Sequence, residues 1–391
     1  MKKKWLLITS CLLVVILVTG IGISIHKSTD ERELKRILED DDTSFVTLQE
    51  ARCSAKEVVE KGRNGEFRNM TFMEFEPVIT EEDSISAITL STPSAKFSLE
   101  SIDEQVEVLQ KFFGDKLDQN YIIDSYDRTG LDILKEKVKG GNYNSESCYL
   151  FYIKDDYYGH VDTGIHNLWI DTGMKGVTPS GEGNTIKEYY AAATDGSLED
   201  VYMTATGEIS VQEAICDVEK YFNEDFPIAM NGVVQYRVRN VWIIDKGNGQ
   251  YGFEFGIRKV YGGVPLEYVY PGTLAYGADD NIDMIGAYMD GKGNIPYFNA
   301  LSLNLEVKVN ETYETILSPE VAIEYVSQKV GNETTYEITG MELSYVSKEL
   351  NGDATISSMP VWMIFAENQT TEQETRFYVD VVTGQVSVRV M

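Results

Sequence analysis

The side chains that could hold a metal or move a proton set the first question. The chain has three histidines, His26, His160 and His166, and 63 aspartates and glutamates. His160-Val161-Asp162 puts an imidazole and a carboxylate on one face of a strand with His166 close behind, which is how a zinc-type ligand set begins. Asp162-Thr163-Gly164 reads as a turn that breaks that face, so no metal and no cofactor is expected. Of the four cysteines, Cys11 lies in an apolar N-terminal run, while Cys53, Cys148 and Cys216 lie beyond it. An odd number cannot all pair within one chain. Cys216 reads as a free small residue on a helix, and a Cys53 to Cys148 bridge stays open. The signatures Gly-x-Ser-x-Gly, His-Glu-x-x-His and Gly-x-x-x-x-Gly-Lys are missing from the sequence. The glycine cluster at residues 176–183 lacks the basic residue and following helix of a phosphate cradle. Among so many acidic residues no glycosidase-like carboxylate pair stands out. The expectation is a non-enzymatic protein with no catalytic residues, and a hydrolase with an unrecognised carboxylate pair is the enzymatic alternative.

Tyrosine is the other abundant chemical group, at 24 residues. Tyr157, Tyr158, Tyr189, Tyr190, Tyr261, Tyr268, Tyr270, Tyr276 and Tyr288 are candidates for lining a carbohydrate or peptide groove, since each offers a flat apolar face and a polar tip. The competing reading makes them half-buried positions of antiparallel strands. Asn-x-Thr triplets at Asn69, Asn310, Asn332 and Asn368 mean glycosylation only in a eukaryotic secretory pathway.

The elements that would position such groups recur along the chain. Ile209 to Val218 and Leu317 to Val326 share Ser, Ala, Ile and Val at the same offsets. In the first copy Ser210 and Glu213 fit a capping box; in the second, Ser318 caps and Pro319 takes the first helical position, where a missing N–H costs nothing. Val211, Ala214, Ile215, Val218, Tyr221 and Phe222 keep the spacing of a helix with one buried face, as do Ala322, Ile323 and Val326. Glu219 and Glu324 fall on the wetter face. Strands follow each helix: the run from Tyr236 to Ile244 lines up with Tyr336 to Ser344. Tyr251, Phe253, Phe255 and Ile257 then alternate with Gly252, Glu254, Gly256 and Arg258, a hairpin strand with one wet face. Ser98 caps a third helix carrying Leu99, Ile102, Val106, Leu109 and Phe113, a degenerate echo of the other two.

This helix-then-strands plan, with Phe255-x-x-Arg258, Gly262-Gly263-Val264-Pro265 and the closing Tyr378 to Val386 with its Asp-x-x-Thr-Gly, resembles PepSY-type domains and the propeptide modules of secreted bacterial proteases. The layout as a whole also resembles uncharacterised membrane-anchored extracytoplasmic proteins of Gram-positive, clostridial-type bacteria. The resemblance implies a regulatory or inhibitory binding module and brings no catalytic residues with it.

Charge and hydropathy bound the rest. A formal charge of −29 excludes a nucleic-acid groove, which would need clustered Lys and Arg. Lys2, Lys3 and Lys4 precede an uncharged run over residues 5–25, long enough to span a bilayer, and by the positive-inside rule the N-terminus is cytoplasmic and the bulk of the chain extracellular. Lipidation at Cys11 and cleavage near residues 20–24 are the alternatives to this retained single-pass span. The expected organisation is a cytoplasmic lysine cluster and transmembrane helix (1–26), a charged helical stalk (27–70), an N-terminal α+β domain (71–205), and two PepSY-like units (206–306 and 307–391). The expected fold class is α+β, an N-terminal transmembrane helix followed by antiparallel sheets each covered by a helix. The expected function is a cell-membrane binding or regulatory protein that engages a protein partner at the outer face, and the alternative is a surface carbohydrate or peptide binder.

Overall fold

The computed structural model describes residues 44–91, 98–125, 127–143, 149–154, 157–162, 169–174, 183–191, 196–225, 234–267, 285–300, 306–330, 334–350 and 356–390. It opens with strand β1 (Phe45–Thr47), helix α1 (Leu48–Arg63), β2 (Met70–Phe72) and β3 (Ile85–Ser91). Helix α2 (Leu99–Phe113), β4 (Ile122–Asp124), helix α3 (Leu131–Lys139), β5 (Tyr149–Lys154), β6 (Tyr157–Asp162), β7 (Trp169–Met174) and β8 (Asn184–Tyr190) follow. Next come β9 (Val201–Thr204), β10 (Gly207–Ser210), helix α4 (Val211–Lys220), β11 (Gln235–Gly247), β12 (Gln250–Tyr261), β13 (Val264–Glu267), β14 (Ile285–Met289) and β15 (Tyr297–Ala300). The chain closes with β16 (Glu306–Tyr313), β17 (Thr315–Leu317), helix α5 (Pro319–Val330), β18 (Tyr336–Leu350), β19 (Ile356–Asn368), β20 (Gln373–Asp380) and β21 (Val386–Val390).

The α+β expectation is overturned, because the protein is mostly β. Strands β11, β12, β18 and β19 run to 13, 12, 15 and 13 residues, whereas the longest described helix has 16. The sequence overstates helix for a physical reason: a capping box is a compact local signal, while strand formation is spread over side chains whose partners lie far along the chain. Residues 5–25 lie outside the described residues, and no described helix is long and apolar enough to cross a membrane. The transmembrane helix of that expectation therefore has no support in the structure.

Two sheets carry the fold. The central sheet runs β4-β5-β6-β7-β15-β14-β12-β11-β8, antiparallel throughout. In the terminal sheet β18 pairs with β19, and β19 pairs with β20 over one stretch and with β3 over another; β21 extends from β20 and β16 from β3. On its other side β18 takes β2 and then β13, both parallel. Strand β13 thus links the sheets, since it also pairs with β12.

Each sheet has its own core. Ile102, Leu109 and Phe113 of α2, Leu134 of α3, and Val211, Ala214, Ile215 and Val218 of α4 bury against Val241, Phe253, Phe255, Ala287 and Phe298. Leu48, Ala51 and Val58 of α1, with Ala322, Ile323 and Val326 of α5, bury against Ile338, Leu343, Trp362, Ile364 and Phe377. The segment expected to be a solvated stalk is therefore built in from residue 44 onward: β1 pairs with β17, β2 with β18, and α1 lies in the terminal core. Strand pairing assembles the described residues of 44–91 and 306–390 around one sheet and those of 98–300 around the other, a different division from the sequence boundaries at 71, 206 and 307.

The repeat is visible in register. Helix α4 precedes a meander of β11, β12, β14 and β15, and α5 precedes a meander of β18, β19, β20 and β21. Both first strands bulge at the same place, between Val238 and Asn240 and between Ile338 and Gly340. Beside the bulges, large and small residues exchange sides: Asn240 faces Gly256, and Gly340 faces Phe365. A Cβ at Gly340 would lie 3.1 Å from the Phe365 ring, so a side chain there would press the ring to shift by a few tenths of an ångström. The capping box forms, with Glu213 N–H donating to Ser210 Oγ at 3.1 Å and Ser210 N–H to the Glu213 carboxylate at 3.0 Å. In the second copy Val321 N–H donates to Ser318 Oγ at 3.3 Å. Glu219 is less free than its helical position suggests, because its carboxylate accepts from Val238 N–H at 2.9 Å and from Arg237 at 2.7 Å. It fastens α4 to the strand just before the bulge.

Candidate functional site on the helix-free face

Strand alternation assigns two faces to the central sheet. Val241, Ile243, Phe253, Phe255, Ala287 and Met289 face the helices, so the residues between them face away. Register then places Glu188, Trp242, Glu254, Tyr288 and Tyr297 side by side across β8, β11, β12, β14 and β15. Directly opposed residues bring their Cβ atoms to about 5 Å, so the strands lay out a row of two carboxylates and three aromatic rings in which Glu254 lies between Trp242 and Tyr288. Glu188 is exposed, Trp242, Glu254 and Tyr297 are half-buried, and Tyr288 is buried. Gly252 gives the Tyr288 ring its room, since a Cβ there would sit 2.3 Å from the tyrosine hydroxyl. Lys246 holds its ammonium 5.6 Å from the centre of the same ring. Burial raises the pKa of Glu254, and among the described residues it has no hydrogen-bonding or charged partner.

One register step toward the bulge lies a second row, Tyr190, Asn240, Gly256 and Gly286. Asn240 Nδ2 donates to Glu188 at 3.0 Å, and Tyr190 is 60% exposed. Burial raises the Tyr190 pKa, and the Glu188 and Glu374 carboxylates add to the effect.

At the far end of this face the two sheets touch. Arg258 Nη1 donates to both Glu342 oxygens at 2.9 Å, with the two side chains 14% and 6% exposed. Burial disfavours the Arg258 charge, but the Glu342 and Glu267 carboxylates outweigh it and the net shift is upward. Arg239, in the first bulge, reaches Glu267 at 3.8 Å and stacks over Phe365 at 5.6 Å, a ring that Arg376 also covers at 5.4 Å. Thr80 Oγ1 donates to Gly262 O at 2.8 Å, seating the turn before β13 on the terminal lobe.

The other residues singled out in the sequence separate into structural roles. His160 is buried beside Phe151, and burial lowers its pKa to about 4. His26, His166, Cys11, Cys148, Tyr268, Tyr270 and Tyr276 lie outside the described residues. Among those described, no cluster suited to a metal forms, and Cys53 and Cys216 are free and exposed. Tyr189 belongs to the core, where its hydroxyl contacts Asp200 at 2.5 Å and Tyr202 at 2.6 Å. Tyr261 lies tilted against Tyr345 with ring centres 6.3 Å apart. Among the described tyrosine candidates, Tyr190 and Tyr288 share the helix-free rows, whereas Tyr189 and Tyr261 lie elsewhere. The resemblance motifs divide as well. Arg258 makes the inter-sheet ion pair, whereas Asp380 accepts from Val382 and Thr383 N–H at 3.0 Å each to form a turn whose Gly384 lies against Tyr325. Trp242, Glu188, Tyr297 and Glu342 carried no sequence signal of their own, because cross-strand register between distant strands brings them together. Glu254 was legible as a member of the β12 face opposite Phe253 and Phe255, but that face is not wet as the alternation suggested: Gly252 and Gly256 are buried and Glu254 and Arg258 half-buried.

Comparison with known proteins adds the fold. No family model and no curated protein matches the chain. Among solved structures it is similar to an uncharacterised protein from Eubacterium rectale, with a TM-score of 0.50 and 14% identity over 83% of this chain and 87% of that one. It is also weakly and distantly similar to the C-terminal domain of YpeB from Bacillus megaterium, of a PepSY-containing family, with a TM-score of 0.35 and 13% identity over 76% of this chain and 99% of that one. The first likeness is one of fold alone.

Proposed function

We propose that this protein is a non-enzymatic, membrane-anchored extracytoplasmic binding or regulatory protein that engages a protein partner at the cell surface. The observation that carries the reading is the helix-free face of the central sheet, which sets half-buried aromatic rings and carboxylates in register on a rigid support. Such rows are suited to holding a partner's side chains. The acidic composition, −29 overall, keeps such a domain soluble outside the cell. The finer likeness to PepSY-type modules, read from the duplicated helix and meander and from Arg258 with the Gly262-Gly263 turn, supports the same class.

The test joins topology to contact. A C-terminal tag is expected to be removed by protease added to intact cells, and a photo-crosslinking amino acid at Tyr190 should give a discrete adduct in those cells. A tag that resists protease until lysis would overturn the location. A chain that reaches the surface but gives no adduct from Tyr190 or Trp242 would overturn partner engagement through this face.

A further inference from the structure

The row across β8, β11, β12, β14 and β15 contains an imbalance that the fold itself does not explain. Glu254 sits directly opposite Trp242 on one side and Tyr288 on the other. It is half-buried, yet no cation of this chain pairs with it among the described residues. Elsewhere the protein does neutralise such groups: Glu342 has Arg258 and Glu219 has Arg237. An acid between two aromatic rings costs stability unless something compensates it. Rings flanking a carboxylate are also the arrangement that favours a cation, through the ring quadrupole and the opposite charge together. The row already shows this attraction internally, since Lys246 lies over the Tyr288 ring. Glu188 adds a second carboxylate at the β8 end, next to Trp242.

We propose that Glu254, Trp242 and Glu188 form a recognition site for an arginine or lysine side chain of the partner. The proposal rests on the reading above that this face engages a protein. The guanidinium or ammonium lies against the Trp242 ring with Glu254 as its counter-ion and Glu188 at the rim, and the excess negative charge of the whole chain steers the basic segment in.

The experiment uses the full chain in detergent and a fluorescein-labelled extended peptide with two adjacent arginines and no other charge. Its citrulline counterpart and chitotetraose are the comparison probes. The arginine peptide should bind and quench Trp242 fluorescence, the citrulline peptide should not bind, and Glu254→Gln should weaken binding by about tenfold or more, as loss of a desolvated cation contact implies. Glu324→Gln, on the exposed side of α5, should leave affinity unchanged. An equal loss in Glu324→Gln would reduce the effect to bulk charge and overturn the site. Undiminished binding by Glu254→Gln would overturn it as well, and so would Glu254-dependent binding of chitotetraose in place of the arginine peptide, which would make the occupant a sugar. Should Glu254→Gln fail to fold, Trp242→Phe supplies the readout: it must abolish the quenching and weaken the arginine peptide, and persistence of both overturns the proposal. These outcomes are independent of the intact-cell test, so failure of the location and failure of the site are told apart.

Discussion

At the scale of single residues, desolvated charges set the fixed points of the molecule. Removing one member of a buried ion pair leaves the other uncompensated, which typically costs about 3 to 5 kcal/mol. Glu342→Met and Arg258→Met are therefore each expected to destabilise the protein strongly, while the double change should recover much of the loss; urea denaturation of the parent and these three variants measures the coupling. Glu219 carries the opposite lesson about helix faces. Its carboxylate holds Val238 N–H and Arg237, so Glu219→Ala should cost about 1 to 3 kcal/mol for the unsatisfied donors. Glu324→Ala, on an exposed position, should change stability by less than about 0.5 kcal/mol. His160 supplies a pH dependence. Burial holds its folded-state pKa down to about 4, so the unfolded chain binds the proton first as the solution is acidified. Its contribution is fully present above the unfolded value of about 6.5 and is lost as pH falls toward 4. The variant His160→Gln should flatten the stability profile across that window in denaturation series between neutral and acid pH.

At the scale of elements, the two helix-plus-meander units make their burial predictions jointly. Ile215 and Ile323 occupy the same place in their helices and both are buried, at 5% and 0% exposure. Aspartate at either site puts an unpaired carboxylate in a core and should lower the urea midpoint by the equivalent of several kcal/mol. Reduction, by contrast, should leave the thermal midpoint unchanged, because Cys53 and Cys216 are free. The helix starts were legible because Ser210 with Glu213, Ser98, and Ser318 with Pro319 are contiguous in the chain, and the hairpin β11-β12 was legible because its turn residues sit between alternating runs. Strand β8 next to β11, β7 next to β15, and β3 next to β16 and β19 were not legible, because each pairing spans a long stretch of intervening chain. The candidate row depends on such a pairing, which is why Glu254 could be placed from sequence on the strand face away from Phe253 and Phe255 but Glu188 could not be placed beside Trp242. Helix α1 was misread for a related reason. Its many charges suggest a stalk, while its buried stripe of Leu48, Ala51, Ala55, Val58 and Val59 acquires meaning only against the distant α5 and terminal sheet.

At the scale of the whole molecule, one lobe is inserted into the other. A fragment of residues 98–300 contains every strand of the central sheet and the helices that cover it, so it should fold cooperatively by itself. A fragment of residues 306–391 lacks β2, β3 and α1, and it should be largely unfolded until residues 44–91 are supplied in trans; circular dichroism and a single denaturation transition distinguish the two. The base of the insertion is defined by register, because Ser91 at the end of β3 pairs with Glu306 at the start of β16. That pairing has a mechanical consequence. Tension applied between the first and last described residues enters and leaves through the terminal lobe, and it passes from β3 to β16 across their shared hydrogen bonds without loading the inserted lobe. The central sheet is thus shielded from a pull on the chain's ends until the β3-β16 ladder ruptures, and in a force-extension trace the inserted lobe should lengthen only after that event.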